Sequence, residues 1–328
     1  VDVSGRPLYD NPADTALFVP RPEASRLEAN CRDGVNTLVV GKRGMGKTSL
    51  LRHVLFQLRE EGFPGVAVDL APAKDTRDVM RLIAAGLGRT RSLAPSDVAR
   101  HEMTVMGEME ETLSAVHALR PTGFESGEPR RAILLDSPSS GKVMHQLFGR
   151  FRDELWQLPY TWVLSVQQDM RGALLAPPAD AFFEDEIELG PLSTEQQEEL
   201  ISRRLGPGEM TPWRLPAGEE SPRRLLQVVR ESLRAGESPV RRHQAMIERY
   251  REVNRLGTAA AILYEDLEDF GPASASDEEL LERMGWSRQR AAQVLAELEQ
   301  ADLVRAEFHH RPNGRPRKVF AVQPPPNP

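Results

Sequence analysis

Cysteine is almost absent: Cys31 stands alone in 328 residues, which excludes an intrachain disulfide and a cysteine-built metal centre. Nothing beside it marks a reactive thiol, so a structural role is expected. Long apolar runs are missing too, and with them any membrane-spanning helix. The first residues carry neither a basic start nor an apolar signal core, so the expected location is cytoplasmic, without membrane contact. Positive charge is not in surplus. A formal charge of −7 argues against a uniformly basic coat for nucleic acid while leaving a local basic surface open. Lysine is scarce beside arginine, a bias of base composition more than of chemistry. The scattered histidines have no paired nucleophile or metal-spaced partner, which leaves no nuclease, protease or ligase constellation. What remains, 40% hydrophobic and 28% charged residues, is ordinary globular material for two or three domains.

Against these absences stands one complete motif. Gly41-Lys42-Arg43-Gly44-Met45-Gly46-Lys47-Thr48 matches the phosphate-binding pattern G-x-x-x-x-G-K-[ST]. Thr37 to Val40 before it reads as a short buried strand. Ser49 to Glu61 after it has Leu50, Leu51, Val54, Leu55 and Leu58 at helical spacing. Glycines in such a loop let successive N–H groups and a helix N-terminus point at an anion. Gly41, Arg43, Gly44, Met45, Gly46, Lys47, Thr48 and Ser49 are the expected nucleotide cradle, with Lys47 on the β- and γ-phosphates and Thr48 on Mg2+. No Asn-Lys-x-Asp follows to read guanine, so ATP or ADP is expected.

Further runs extend the pattern. Gly65 to Leu70, Ala132 to Asp136, Thr161 to Val166 and Glu186 to Leu189 read as strands. Thr76 to Leu87, Ser96 to Leu119 and Gly141 to Leu158 read as helices, the second with a stripe of Val98, Met103, Met106, Met109, Leu113 and Val116. Strands alternating with helices imply an α/β fold, a parallel sheet covered on both faces with its ligand at the carboxyl ends of the strands. The expected division is an arm over 1–30, a P-loop nucleotide domain over 31–191, a helical lid over 192–238, a winged helix-turn-helix domain over 239–323 and a disordered tail over 324–328. The lid begins at the capped Ser193-Thr194-Glu195-Gln196 and includes a helix from Pro222 to Leu233. The last domain reads as helices over 258–270, 277–284 and 287–303, then strands over 304–308 and 318–322 flanking Asn313-Gly314, a dipeptide typical of tight hairpins.

Asp136 closes an apolar strand, where the magnesium-associated acid of a P-loop ATPase belongs. It could also be a turn residue. Asp69 ends the second strand and could bring another carboxylate to the γ-phosphate, or could cap a turn. Ser137 follows Asp136 where many such enzymes place a water-orienting Glu, so binding is better supported than hydrolysis and a weak ATPase is the expectation.

On these residues the chain resembles the AAA+ ATPases, in particular the origin-recognition and replication-initiator branch and the STAND-type signalling ATPases. The resemblance runs from Leu17-Phe18-Val19-Pro20-Arg21 to Val322. It implies base contacts from Val19 and Arg21. It makes Gln168 the polar sensor of Val163-Leu164-Ser165-Val166-Gln167-Gln168-Asp169, with Gln167 in reserve. Ser221-Pro222-Arg223-Arg224-Leu225-Leu226 is similar to the second-sensor helix, which would bring Arg223 to the γ-phosphate. The stretch 176–183 lacks the arginine that relatives extend to a neighbouring subunit, which leaves Arg150, Arg152 or Arg171 for that role and self-assembly open. An ABC-type signature is missing.

The wing and the third helix carry the basic residues that would meet double-stranded DNA: Arg288, Arg290, Arg311, Arg315, Arg317 and Lys318. Acidic residues of the preceding helices, among them Asp266 and Asp277, are expected to face away. The leading expectation is an ATP-governed switch that controls DNA binding or assembly. The alternative is a STAND-type scaffold whose winged helix docks a protein effector. His309 and His310 read as wing-surface residues.

Overall fold

Short β-branched and leucine-rich runs dictate the sheet. The computed structural model describes residues 3–88, 105–120, 130–205, 221–236, 239–309 and 317–323, and the chain divides into two compact units, Val1–Glu231 and Ser232–Pro328. The first unit contains α1 (Pro12–Thr15), α2 (Pro22–Asp33), β1 (Thr37–Gly41), α3 (Lys47–Glu60), β2 (Gly65–Asp69), α4 (Thr76–Gly86) and α5 (Val105–Ala118). It continues through β3 (Arg131–Asp136), α6 (Gly141–Arg150), α7 (Arg152–Trp156), β4 (Tyr160–Gln167), α8 (Arg171–Leu174), β5 (Asp185–Leu189) and α9 (Thr194–Leu205). The boundary falls within α10 (Pro222–Ala235). The second unit holds α11 (Pro239–Arg255), α12 (Thr258–Phe270), α13 (Glu278–Met284), α14 (Arg288–Gln300), β6 (Val304–His309) and β7 (Arg317–Val322).

The five strands of the first unit lie in the order β2-β3-β4-β1-β5, every neighbouring pair parallel. A parallel sheet needs cover on both faces, and the pleat divides the apolar side chains accordingly. Leu38, Val40, Ile133, Leu135, Trp162 and Leu164 join the core under α4, α5 and α6. Val39, Leu134, Val163, Ile187 and Leu189 join the core under α2 and α3. By the same alternation Asp136 and Ser165 belong to the α3 face, which directs the site chemistry toward the loop between β1 and α3.

The sequence periodicity misses α2. Pro22 occupies the first helical turn, where its absent N–H costs nothing, and only Ala24, Leu27 and Cys31 turn inward from an otherwise charged stretch. Leu27 is fully buried, a contribution of about 2 kcal/mol from that side chain. The helix expected from Gly141 to Leu158 breaks at Phe151 (φ −105°, ψ 21°), because the break turns that ring into the core. α11 is a second helix that the pattern did not announce. Of the expected methionine stripe, Val98 and Met103 lie outside the described residues, Val116 is buried, and Met109 is 39% exposed.

The N-terminal segment is pinned rather than loose. The Leu8 N–H donates to Ser49 Oγ (3.1 Å) and Arg52 donates to the Leu8 carbonyl (3.0 Å). Arg6 donates to Asp14 (3.0 Å), which also accepts the Tyr9 N–H (2.7 Å). Where α9 begins, Ser193 and Gln196 form a reciprocal capping box, N–H to Oε1 at 3.0 Å and N–H to Oγ at 3.2 Å.

In the second unit, Leu263 and Leu267 of α12, Leu280 of α13 and Val294, Leu295 and Leu298 of α14 form one core with Val304 and Phe320. β6 and β7 pair antiparallel, and Ala273 exchanges backbone hydrogen bonds with Phe320 (3.1 and 2.8 Å). After α11, the elements α12, α13, α14, β6 and β7 follow in the order expected from the sequence. Residues 310–316, where the sequence places a turn at Asn313-Gly314, lie outside the described residues, as do 324–328. No helix among the described residues is long and apolar enough to cross a membrane.

Candidate functional site

The loop between β1 and α3 turns on two glycines with positive φ, Gly44 (78°) and Gly46 (93°). Gly46 caps α3 without any side-chain hydrogen bond to the helix start, so the first N–H groups of α3 are not satisfied by a capping side chain. A Cβ on Gly46 would meet nothing within 4 Å, whereas one on Gly44 would meet Ser221 Oγ at 2.7 Å. The loop is therefore open on one side and capped by the start of α10 on another.

Lys47 curls back over this loop. Its Nζ donates to the carbonyls of Gly41 (2.7 Å) and Lys42 (3.1 Å). Burial pushes the ammonium down from 10.5 to about 8; the charges of Arg223 and Arg43 add to that, and Asp136 and Asp169 oppose it. An amine weakened by burial and by neighbouring cations gains from a polyanion placed beside it.

The acid side is assembled across the sheet. β4 lies between β1 and β3, yet Thr48 Oγ1 reaches Asp136 Oδ2 at 2.6 Å. Asp136 Oδ1 accepts the hydroxyl of Ser165, a residue to which the motifs of the sequence assign no role. A small hydroxyl between Leu164 and Val166, in the apolar half of a buried strand, is the signal that could have found it. Asp69 sits in register with Asp136 on the neighbouring strand, but its Oδ1 accepts the Ala71 N–H (3.0 Å), the turn-capping alternative in geometry. Ser137 is exposed with φ 55°, a conformation uncommon outside glycine. Among the described residues no group of three or more His, Cys, Asp or Glu could hold a metal ion. A hydroxyl and a carboxylate 2.6 Å apart are hard oxygen donors of the kind Mg2+ takes in small number.

Of the two glutamines, Gln168 donates to Glu188 at 3.5 Å and is exposed. Gln167, held in reserve by the sequence, pairs in register with Gly41 and falls by alternation on the α3 face with Ser165. Arg171 makes a two-point ion pair with Glu186 (2.6 and 2.9 Å). Arg150 lies against the Met109 sulfur (3.6 Å) and Arg152 over the Trp156 ring (4.9 Å).

Arg21 is 8% exposed and ties Met45 O (3.2 Å) to Gly190 O (2.8 Å), so its guanidinium clamps the loop to the end of β5. Val19 is buried with Leu192, Leu200, Ile201, Leu225 and Leu226. Ser49 spends its hydroxyl on Leu8. The Arg223 N–H points at Gly44 O (3.5 Å), and a Cβ on Gly5 would meet Arg223 Cγ at 3.2 Å. Arg223 thus stands at the loop, between two glycines.

In the second unit Arg288 and Arg290 are exposed at the start of α14, and Arg290 leans on Gln293 (3.4 Å) and Trp286. Arg311 and Arg315 lie outside the described residues. The expectation that Asp277 faces away is corrected, since Arg317 pairs with it; Lys318 pairs with Glu299 of α14 at 2.7 Å. These partners are 40 and 19 residues distant in sequence, so linear charge pattern could not reveal them. Asp266 is buried and takes a two-point pair from Arg283 (2.9 and 2.8 Å).

No protein-family model matches the chain, and no curated protein does. Solved structures do. The Orc1 protein of Aeropyrum pernix, in complex with DNA, is 20% identical with a TM-score of 0.51, covering 95% of this chain and 92% of that one. Cdc6p from Pyrobaculum aerophilum is 14% identical at a TM-score of 0.46, covering 94% and 93%. A RuvB variant of Thermotoga maritima is 14% identical at 0.43, covering 93% and 93%. The likeness to Orc1 shows a shared fold.

Proposed function

From the fold it shares with an origin-recognition AAA+ ATPase, we propose that this chain binds ATP or ADP with Mg2+ and that the bound nucleotide controls DNA binding or assembly through a winged helix in the C-terminal unit. The observation that carries the reading is the joining of Lys47, Thr48 and Asp136 around one glycine loop, with hydrogen bonds of 2.7 Å to Gly41 O and 2.6 Å between Thr48 and Asp136. Lys47 exchanges its loop carbonyls for the β- and γ-phosphates, and the N–H groups at the start of α3 hold their oxygens. Thr48 and Asp136 would hold Mg2+, and the ion would supply charge neutralisation at the phosphates when bound. Arg223 reaches the γ-phosphate from α10 and so reports whether it is present; Val19 and Arg21 flank the base. Gln168, just past the end of β4, is the polar sensor, with Gln167 in reserve on the α3 face of that strand. Asp69, occupied with its turn, is left as a secondary acid. Ser137 offers no carboxylate to orient water, so hydrolysis is slow and the nucleotide acts as a switch.

For the second unit, the exposed Arg288 and Arg290 enter a groove at the start of α14, and Arg311 and Arg315 of the wing add phosphate or minor-groove contacts. The DNA complex of the Orc1 structure supports this direction. One observation favours the second reading, a STAND-type scaffold docking a protein effector: Arg317 and Lys318 are already matched by Asp277 and Glu299, which leaves less charge for phosphate.

Duplex DNA binding measured by fluorescence anisotropy, at two salt concentrations and with ATP, ADP or neither, decides between them. The DNA reading expects binding that weakens steeply with salt, that changes with nucleotide in wild type but not in Lys47→Ala, and that falls in the Arg315→Ala/Arg317→Ala double variant. Folded protein that binds DNA in no state overturns the DNA reading and makes the docking reading the leading account.

A further inference from the structure

β4 carries two buried aliphatic hydroxyls, Thr161 and Ser165, and they serve different ends. Thr161 donates to the Cys31 carbonyl at 3.4 Å, a bond between sheet and α2. Ser165 is 1% exposed and donates to Asp136 Oδ1. A hydroxyl buried this deeply is stable only when paired. Its partner is the carboxylate whose other oxygen accepts Thr48 at 2.6 Å. The terminal torsion of an aspartate is broad and two-fold, so one hydrogen bond alone leaves the carboxylate able to turn. Two donors on opposite oxygens fix its plane. The pleat makes this possible: Val163 lies on the α3 face, as Leu134 does, and one alternation further along each strand brings Ser165 and Asp136 together there.

We propose that Ser165 is a positioning residue for Asp136: by holding Oδ1 it keeps Oδ2 turned toward Thr48, and it thereby sets how strongly Mg2+ tightens nucleotide binding. This rests on the P-loop reading above. Ser165 touches neither nucleotide nor metal; its effect passes through the carboxylate. Groups that orient a metal ligand in this way change metal affinity by about 10- to 100-fold when removed.

The test is a titration of the full chain with a fluorescent ATP analogue, once in EDTA and once in saturating Mg2+. The quantity read is the ratio of the two dissociation constants, the factor by which the metal tightens binding. Ser165→Ala lowers this factor by about tenfold or more while its affinity in EDTA stays at the wild-type value. Ser165→Thr, which keeps the hydroxyl, restores the factor. If Ser165→Ala keeps the wild-type factor, or loses affinity equally in both buffers, Ser165 is a packing residue and the proposal is overturned. If the wild type binds no analogue in either buffer, the nucleotide reading itself fails and takes this proposal with it, an outcome separate from the other two.

Discussion

Two sets of cations in this chain are held in opposite ways. Lys47 in the first unit rests on backbone carbonyls of its own loop, with burial and the neighbouring Arg223 and Arg43 lowering its pKa to about 8. Arg317 and Lys318 in the second unit rest on carboxylates, Asp277 and Glu299. A cation held by neutral dipoles in a poorly hydrated site becomes better satisfied when a polyanion arrives. One already matched by a carboxylate must surrender an ion pair before it can gain a phosphate. The difference teaches that the first unit is poised for an anion, whereas the second must reorganise part of its surface to receive one.

The largest effect that would break this comparison is at Lys47. Lys47→Ala is expected to weaken ATP-analogue binding by about 100-fold or more, the scale of losing a charge-assisted contact in a partly buried site; calorimetric titration gives the number, and unchanged affinity would mean that the loop is not the anion site.

A smaller effect sharpens the stability side. The hydrogen bond from Arg6 holds the Asp14 carboxyl at about 2, below its ordinary 3.8, against burial that raises it. A depressed carboxylate contributes stability that is whole above pH 3.8 and is lost as pH falls through about 2. Arg6→Ala should cost about 1 kcal/mol at neutral pH, the pair being partly exposed to solvent, and should flatten the acid limb of the melting temperature. A variant whose loss is the same at pH 2 and pH 7 would show that Arg6 acts by packing.

The smallest effect tests the second unit. Asp277→Asn removes the partner charge of Arg317 and should raise duplex DNA affinity by about threefold at low salt, with the gain shrinking as salt rises. No gain at any salt concentration would favour protein docking over DNA.

Much of this arrangement was legible in the sequence, and the remainder was hidden for physical reasons. The loop, its strand and its helix announce themselves because phosphate cradles need a fixed spacing of glycine, lysine and hydroxyl. The strands of the sheet are legible because burial on both faces leaves continuous apolar runs. α2 was not, since a helix that buries only Ala24, Leu27 and Cys31 has little periodic signal. Ser165 was not, because a serine in a strand acquires meaning only when the neighbouring strand is known to end in Asp136. Asp277 and Arg317 are far apart in the chain, and only the fold brings them together.

Gly44 carries a last consequence. It stands at a position where the motif G-x-x-x-x-G-K-[ST] accepts any amino acid, yet its φ is 78° and a Cβ there would meet Ser221 Oγ at 2.7 Å. The motif describes what phosphate asks of the loop; the first turn of α10 asks something more. A phosphate loop grafted into this chain from another protein, flawless by the motif but with a side chain at that one place, would satisfy the consensus and still carry backbone strain and crowd Ser221, so the vocabulary of such loops is narrower in this protein than its grammar suggests.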